Sequence, residues 1–161
     1  MPTGNAYAQA LHEFVLQVEV ECPFCLSAAL VQSGHYPPST EKEKEPRFTC
    51  THCGHSQLLS EKNGAEKKSV YIMGEPVDPY FHLPVWLQIR CGEELLWAYN
   101  REHLALLEKH IKAGLRDRKN VPVKNNSIGS RLPRWMTAAK NRERVLKCIH
   151  LLQKGIREKE S

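Results

Sequence analysis

The sequence predicts an α+β chain with strands first and helices after, and three observations carry that reading. Apolar residues alternate with a period of two over residues 14–20 and again over 84–91, the spacing of half-buried strands. Two C-x-x-C pairs, Cys22-Pro-Phe-Cys25 and Cys50-Thr-His-Cys53, each close a strand-like segment. Beyond Asn100, Leu104, Leu107, Ile111 and Leu115 recur at helical spacing instead.

In order along the chain, residues 1–13 read as an N-terminal lead. The alternation of Phe14, Leu16, Val18 and Val20 then predicts a strand that delivers the chain to Cys22. Residues 28–32 can form a second short strand. Residues 36–46, Tyr-Pro-Pro-Ser-Thr-Glu-Lys-Glu-Lys-Glu-Pro, have two proline clusters around alternating charge and no apolar period, which predicts an exposed, mobile loop. Residues 56–60 and the β-branched run 69–73 read as further strands.

Residues 84–91 and 95–99, joined through Gly92-Glu-Glu94, form the clearest hairpin. Val85, Leu87, Ile89 and Cys91 would share one face, which makes Cys91 a small buried hydrophobe rather than a ligand. Asn100 is placed to cap a helix that ends near Arg118, and residues 119–130, with Pro122 and Gly129, interrupt it. A second helical region opens at Pro133 and runs to about Lys159, with a break near Asn141.

The two cysteine pairs carry the most specific chemistry. A tetrahedral zinc ion takes four thiolates, and each C-x-x-C knuckle offers two from one tight turn. Cys22, Cys25, Cys50 and Cys53 are therefore the predicted ligands of one structural zinc, with Gly54 supplying an unhindered backbone at the second knuckle. Four thiolates leave no open coordination position, which removes chemistry at the metal. His52 and His55 could replace a thiolate, but two matched pairs make them surplus. The thioredoxin-type reading of C-x-x-C lacks its βαβ context.

The chain is of ordinary composition, 161 residues with 41% hydrophobic and 25% charged, and no apolar run approaches membrane-spanning length. The first residues lack a basic segment followed by an apolar one. A cytoplasmic protein with no membrane association is expected, and a reducing compartment agrees with cysteines used for metal.

The formal net charge of +5 conceals a division. Residues 1–99 hold 7 Lys and Arg against 12 Asp and Glu, whereas residues 100–161 hold 16 against 6. On a helical wheel of residues 140–157, Val145, Cys148, Ile149, Leu152 and Ile156 share one side and Lys140, Arg144, Lys147 and Lys154 the other. Arg131 and Arg134 extend the charge into the preceding loop. These six cations are the candidate nucleic-acid contacts, because Lys and Arg that meet phosphates release condensed counterions. Trp135 could stack on an unpaired base. Its Leu and Met neighbours favour a core position. His103 and His110 lack ligand partners at suitable spacing and read as surface residues.

At the knuckles the sequence resembles transcription-factor-type zinc ribbons, over roughly residues 14–60. The stretches Leu83-Pro-Val-Trp-Leu-Gln, Leu96-Trp-Ala-Tyr-Asn100, Arg131-Leu-Pro-Arg-Trp-Met and Ala139-Lys-Asn-Arg resemble those of small bacterial zinc-ribbon proteins. That resemblance implies a ribbon coupled to a helical tail in one cytoplasmic protein, and the residues themselves divide the chain into a ribbon at 14–60, strands and a hairpin at 61–99, and a basic helical region at 100–161. It transfers no catalytic residue.

No G-x-S-x-G, H-E-x-x-H, Walker lysine loop or G-x-G-x-x-G is present, and Pro23 follows Cys22 rather than preceding it, unlike the zinc-deaminase signature. The expected function is non-enzymatic and without a small-molecule substrate: a zinc-binding accessory protein contacting DNA or RNA through its basic helices. The alternative is a zinc-braced adaptor whose basic helix meets an acidic protein partner.

Overall fold

The computed structural model describes residues 11–36, 45–60, 71–113 and 132–155. The fold is α+β. Strands β1 (Gln17–Glu21), β2 (Ala28–Gln32), β3 (Arg47–Thr49) and β4 (Ser56–Leu58) form an antiparallel sheet in sequence order. Strands β5 (Leu87–Cys91) and β6 (Glu94–Ala98) pair as a separate hairpin. Helices α1 (Arg101–Ala113), α2 (Arg134–Thr137) and α3 (Arg142–Gln153) follow, with a 3₁₀ turn, Ala139–Asn141, between the last two.

The first strand begins later than the alternation suggested. Leu11–Phe14 wind into a 3₁₀ turn that resets the phase, so Phe14 and Val15 are both buried while Leu16 is 39% exposed. Phe14 turns inward because its ring stacks on His103, with centroids 5.1 Å apart.

Residues 84–86 run along β1 and join the two sheets. The Trp86 N–H donates to the Glu19 carbonyl at 2.8 Å, and the Glu21 N–H donates to the Pro84 carbonyl at 2.9 Å. In the hairpin, Cys91 faces Glu94 across the two-residue turn Gly92-Glu93. Of these two only Gly92 has a positive φ, 70°, the type II′ pattern that calls for glycine at the first position. Val85, Leu87, Ile89 and Cys91 are all buried, as the alternation required.

Residues 71–73 form no strand. Their backbone is used locally instead: the Ile72 N–H donates to the Pro79 carbonyl, and the Gly74 N–H to the Tyr99 hydroxyl. Residues 69 and 70 lie outside the described residues. The loop expected at 36–46 is described only at its ends, which are held down: Tyr36 packs on the core beside Tyr71 and Tyr80, and Pro46 is buried.

Helix α1 starts where Asn100 predicted it. The Asn100 Oδ1 accepts the His103 N–H at 2.8 Å, while its Nδ2 donates to the Phe14 and Gln17 carbonyls, so one side chain caps the helix and anchors the chain before β1. Residues 114–118, including Leu115, lie outside the described residues.

His103 and His110 are not on the surface; both are buried. The His103 Nδ1 accepts the Tyr99 N–H at 3.0 Å, and the ring lies against Phe14, Trp97 and Tyr99. Burial holds this imidazole down to about 3, so it is neutral.

The break in the second helical region spans Ala138 to Asn141, as expected: the ψ of 130° at Ala138 ends α2, and Asn141 is the N-cap of α3. Pro133 stands one residue before α2, at its N-cap. Asn141 serves the break: its Nδ2 donates to the Trp135 carbonyl at 2.9 Å. Trp135 is half-buried against the core, and Val145, Cys148, Ile149 and Leu152 are buried. Ile156 lies outside the described residues. Helix α3 packs on both α1 and β5, and the four-stranded sheet, the hairpin and the helices share one core.

Candidate metal centre

In an antiparallel meander the β1–β2 and β3–β4 turns lie at the same end of the sheet. Cys22 and Cys25 sit in the first of these turns and Cys50 and Cys53 in the second. The sheet therefore brings together two pairs that are 25 or more residues apart in sequence.

The backbone of each turn closes in the same way. Around the first, the Leu26 N–H donates to the Cys22 carbonyl and the Cys22 N–H to the Ser27 carbonyl. Around the second, the Gly54 N–H donates to the Cys50 carbonyl and the Cys50 N–H to the His55 carbonyl. Gly54 has φ 79°, as the expected need for an unhindered backbone required.

The four Sγ atoms lie within 4.8 Å of one another, with Cys22 to Cys53 at 3.7 Å and Cys25 to Cys50 at 3.5 Å. A tetrahedron whose corners lie ~2.3 Å from its centre has edges of ~3.8 Å, so these sulfurs are spaced to surround a single ion. The four cysteines are positioned to hold a metal ion.

Cys22 and Cys50 are buried, Cys25 is partly covered and Cys53 is exposed. The Phe24 N–H points at the Cys22 Sγ, 3.4 Å away. The Ser27 backbone N–H holds the Cys25 thiol down to about 6. The His55 backbone N–H also favours the Cys53 thiolate. Desolvation and the three neighbouring sulfurs nevertheless push that thiol up to about 12. Four thiols in contact cannot all ionise against their mutual repulsion, and a divalent cation at their centre removes that conflict.

His52 and His55 are outside the ligand group. The His55 ring instead stacks on Phe24 at a centroid distance of 3.6 Å, clasping one turn to the other.

The sequence-derived cations are placed as follows. Arg134, Lys140, Arg144, Lys147 and Lys154 are all exposed. Arg131 lies outside the described residues. Arg142, absent from the wheel-based set, is exposed on α3. The Arg144 guanidinium lies over the β5–β6 turn, where a Cβ on Gly92 would come 3.0 Å from its Nη1.

The sequence reading also missed Asp78, which is buried. Its Oδ1 accepts the Tyr80 and Phe81 N–H groups at 2.9 and 2.6 Å, and its Oδ2 accepts the Leu83 N–H at 2.7 Å. Burial pushes this carboxyl above the usual range against those bonds. The Asp78-Pro79 dipeptide, a turn-initiating pair, was its available signal. All three contacts are to the loop's own backbone, which makes Asp78 an organiser of residues 78–83.

No family model matches the chain, and no curated protein or solved structure matches it either. The ribbon-like likeness therefore stands on the four cysteines and their geometry. Among the described residues, no helix is long and apolar enough to cross a membrane.

Proposed function

We propose that the four cysteines hold one structural zinc ion, and that the braced scaffold presents the basic face of residues 134–154 to nucleic-acid phosphates. Zinc suits a closed set of four thiolates, and such a site supplies folding free energy on the order of 10 kcal/mol rather than chemistry.

The observation that carries the nucleic-acid half is the state of the cations. Arg134, Lys140, Arg144, Lys147 and Lys154 are exposed, and none forms an ion pair with another described residue. The salt bridges shown for the helices lie elsewhere, joining Arg101 to Glu19 and Lys112 to Glu108, and the His150 Nε2 meets the Glu108 carboxylate at 2.9 Å. A run of unneutralised like charge costs self-repulsion, which a polyanion relieves.

Titration of labelled DNA and RNA pools against the zinc-loaded protein tests this. With about five phosphate contacts, affinity should fall roughly 100-fold or more between 50 and 200 mM salt. Absence of binding at 50 mM salt rejects the proposal. An acidic protein recovered after nuclease treatment, with no salt-sensitive nucleic-acid binding, assigns the same face to a protein partner.

A further inference from the structure

Two of the six cysteines take no part in the metal cluster, and the fold brings them together. Cys91 ends β5 and Cys148 lies in the middle of α3, 57 residues later. Their Sγ atoms are 2.6 Å apart, much closer than the 3.5 and 3.7 Å between the paired metal-site sulfurs. The Cys91 Sγ also faces the Arg144 carbonyl at 3.6 Å, so its side chain already points towards α3.

Among the described residues no third His, Cys, Asp or Glu completes a metal site around this pair. Both residues are buried, Cys91 at 0% and Cys148 at 7% exposure, which makes Cys148 the more accessible of the two.

We propose that Cys91 and Cys148 are a second functional thiol pair, which hydrogen peroxide converts into an internal disulfide that staples the β5–β6 hairpin to α3. The Cys148 thiolate attacks one peroxide oxygen, the O–O bond breaks, and Cys148 becomes a sulfenic acid while the departing hydroxide takes up the thiol proton as water. The Cys91 sulfur then attacks the Cys148 sulfur, the S–O bond breaks, and the leaving hydroxide takes the Cys91 proton as a second water. Two thiols lose two electrons, and one peroxide gains them.

Burial pushes the Cys91 thiol up to about 12, and the neighbouring Arg144 charge opposes that. The Cys91 thiol is therefore slow towards outside reagents, and what directs it to Cys148 is the contact between the two sulfurs. Closing the bond needs the sulfurs to approach to ~2.05 Å, a change within reach of side-chain rotation.

The test is peroxide treatment of the zinc-loaded full chain, followed by alkylation, proteolysis and non-reducing peptide mapping, with zinc content measured in parallel. The expected product is a Cys91–Cys148 linked peptide about 2 Da lighter than its two thiol parts, in protein that retains its zinc. The unfolding midpoint should rise by roughly 5–10 °C and return to its starting value with thiol reductant. Cys91→Ser and Cys148→Ser each abolish the linked peptide. Two alkylatable thiols after treatment, or Cys148 carried to sulfinic acid with Cys91 still free, would overturn the proposal. The wild-type map decides the matter even if a serine variant fails to fold.

Discussion

Leu26 and Gly54 occupy the same place in the two cysteine turns, each directly after the second cysteine of its pair, and both hold a left-handed backbone, with φ 63° and 79°. Only one of them is suited to it. A residue with a Cβ pays about 1–2 kcal/mol to adopt this conformation, which glycine adopts freely.

Leu26→Gly should therefore stabilise the metal-bound protein by about 0.5–1 kcal/mol in urea denaturation, once the larger entropy of glycine in the unfolded chain is allowed for. Leu26 is 64% exposed, so little packing is lost. Gly54→Ala should cost about 1 kcal/mol although nothing lies within 4 Å of the added Cβ, because the penalty comes from φ alone. Equal effects at the two positions would contradict the equivalence of the turns.

Removal of the Asp78 carboxylate leaves the buried Tyr80 and Phe81 N–H groups and the partly buried Leu83 N–H without an acceptor. Asp78→Ala should cost about 3–5 kcal/mol, and Asp78→Asn, which keeps one acceptor oxygen, about 1–3 kcal/mol. A urea midpoint unchanged in the alanine variant would show that water replaces the carboxylate.

His103 makes stability pH-dependent with a known sign. The folded imidazole stays neutral down to about 3, whereas the unfolded one takes its proton near 6.5. Stability is complete above pH 6.5 and falls as pH drops, because only the unfolded chain binds the proton. The loss is about 1.4 kcal/mol per pH unit. Between pH 6.5 and 5.5 the wild type should lose about 1 kcal/mol more than His103→Gln. Comparing the two cancels the acid sensitivity of the thiolates, and parallel pH profiles would refute the assignment.

The basic face is tested by removing charge without touching the core. Lys140→Gln, Lys147→Gln and Lys154→Gln combined should lower the slope of log affinity against log salt by about 2–3 and leave the urea midpoint nearly unchanged. A triple variant with the wild-type slope would move the contact elsewhere.

What could be read from the sequence was what depends on near neighbours. The cysteine pairs, the hairpin around Gly92 and the Asn100 cap are each specified within about ten residues, and each was found where expected. His103 and Asp78 were misjudged or overlooked for the opposite reason. Their burial depends on partners such as Phe14, 89 positions from His103, or on a loop whose fold is itself the consequence of the carboxylate. Polar residues of this kind look like surface until the groups that satisfy them are known. The contact of Cys91 with Cys148 was hidden similarly, since each lay on an apolar face that seemed complete in itself. The halt at Ala138 has no glycine or proline at the break, and the only local mark is Asn141, whose side chain bonds backward to Trp135.

X-ray absorption at the zinc edge, on protein purified without added metal, tests the central claim most directly. One zinc per chain, with four sulfurs at ~2.3 Å and no nitrogen or oxygen ligand, is the predicted result. A nitrogen or oxygen shell at ~2.0–2.1 Å, iron in place of zinc, or a folded chain with no metal would contradict the four-thiolate zinc centre.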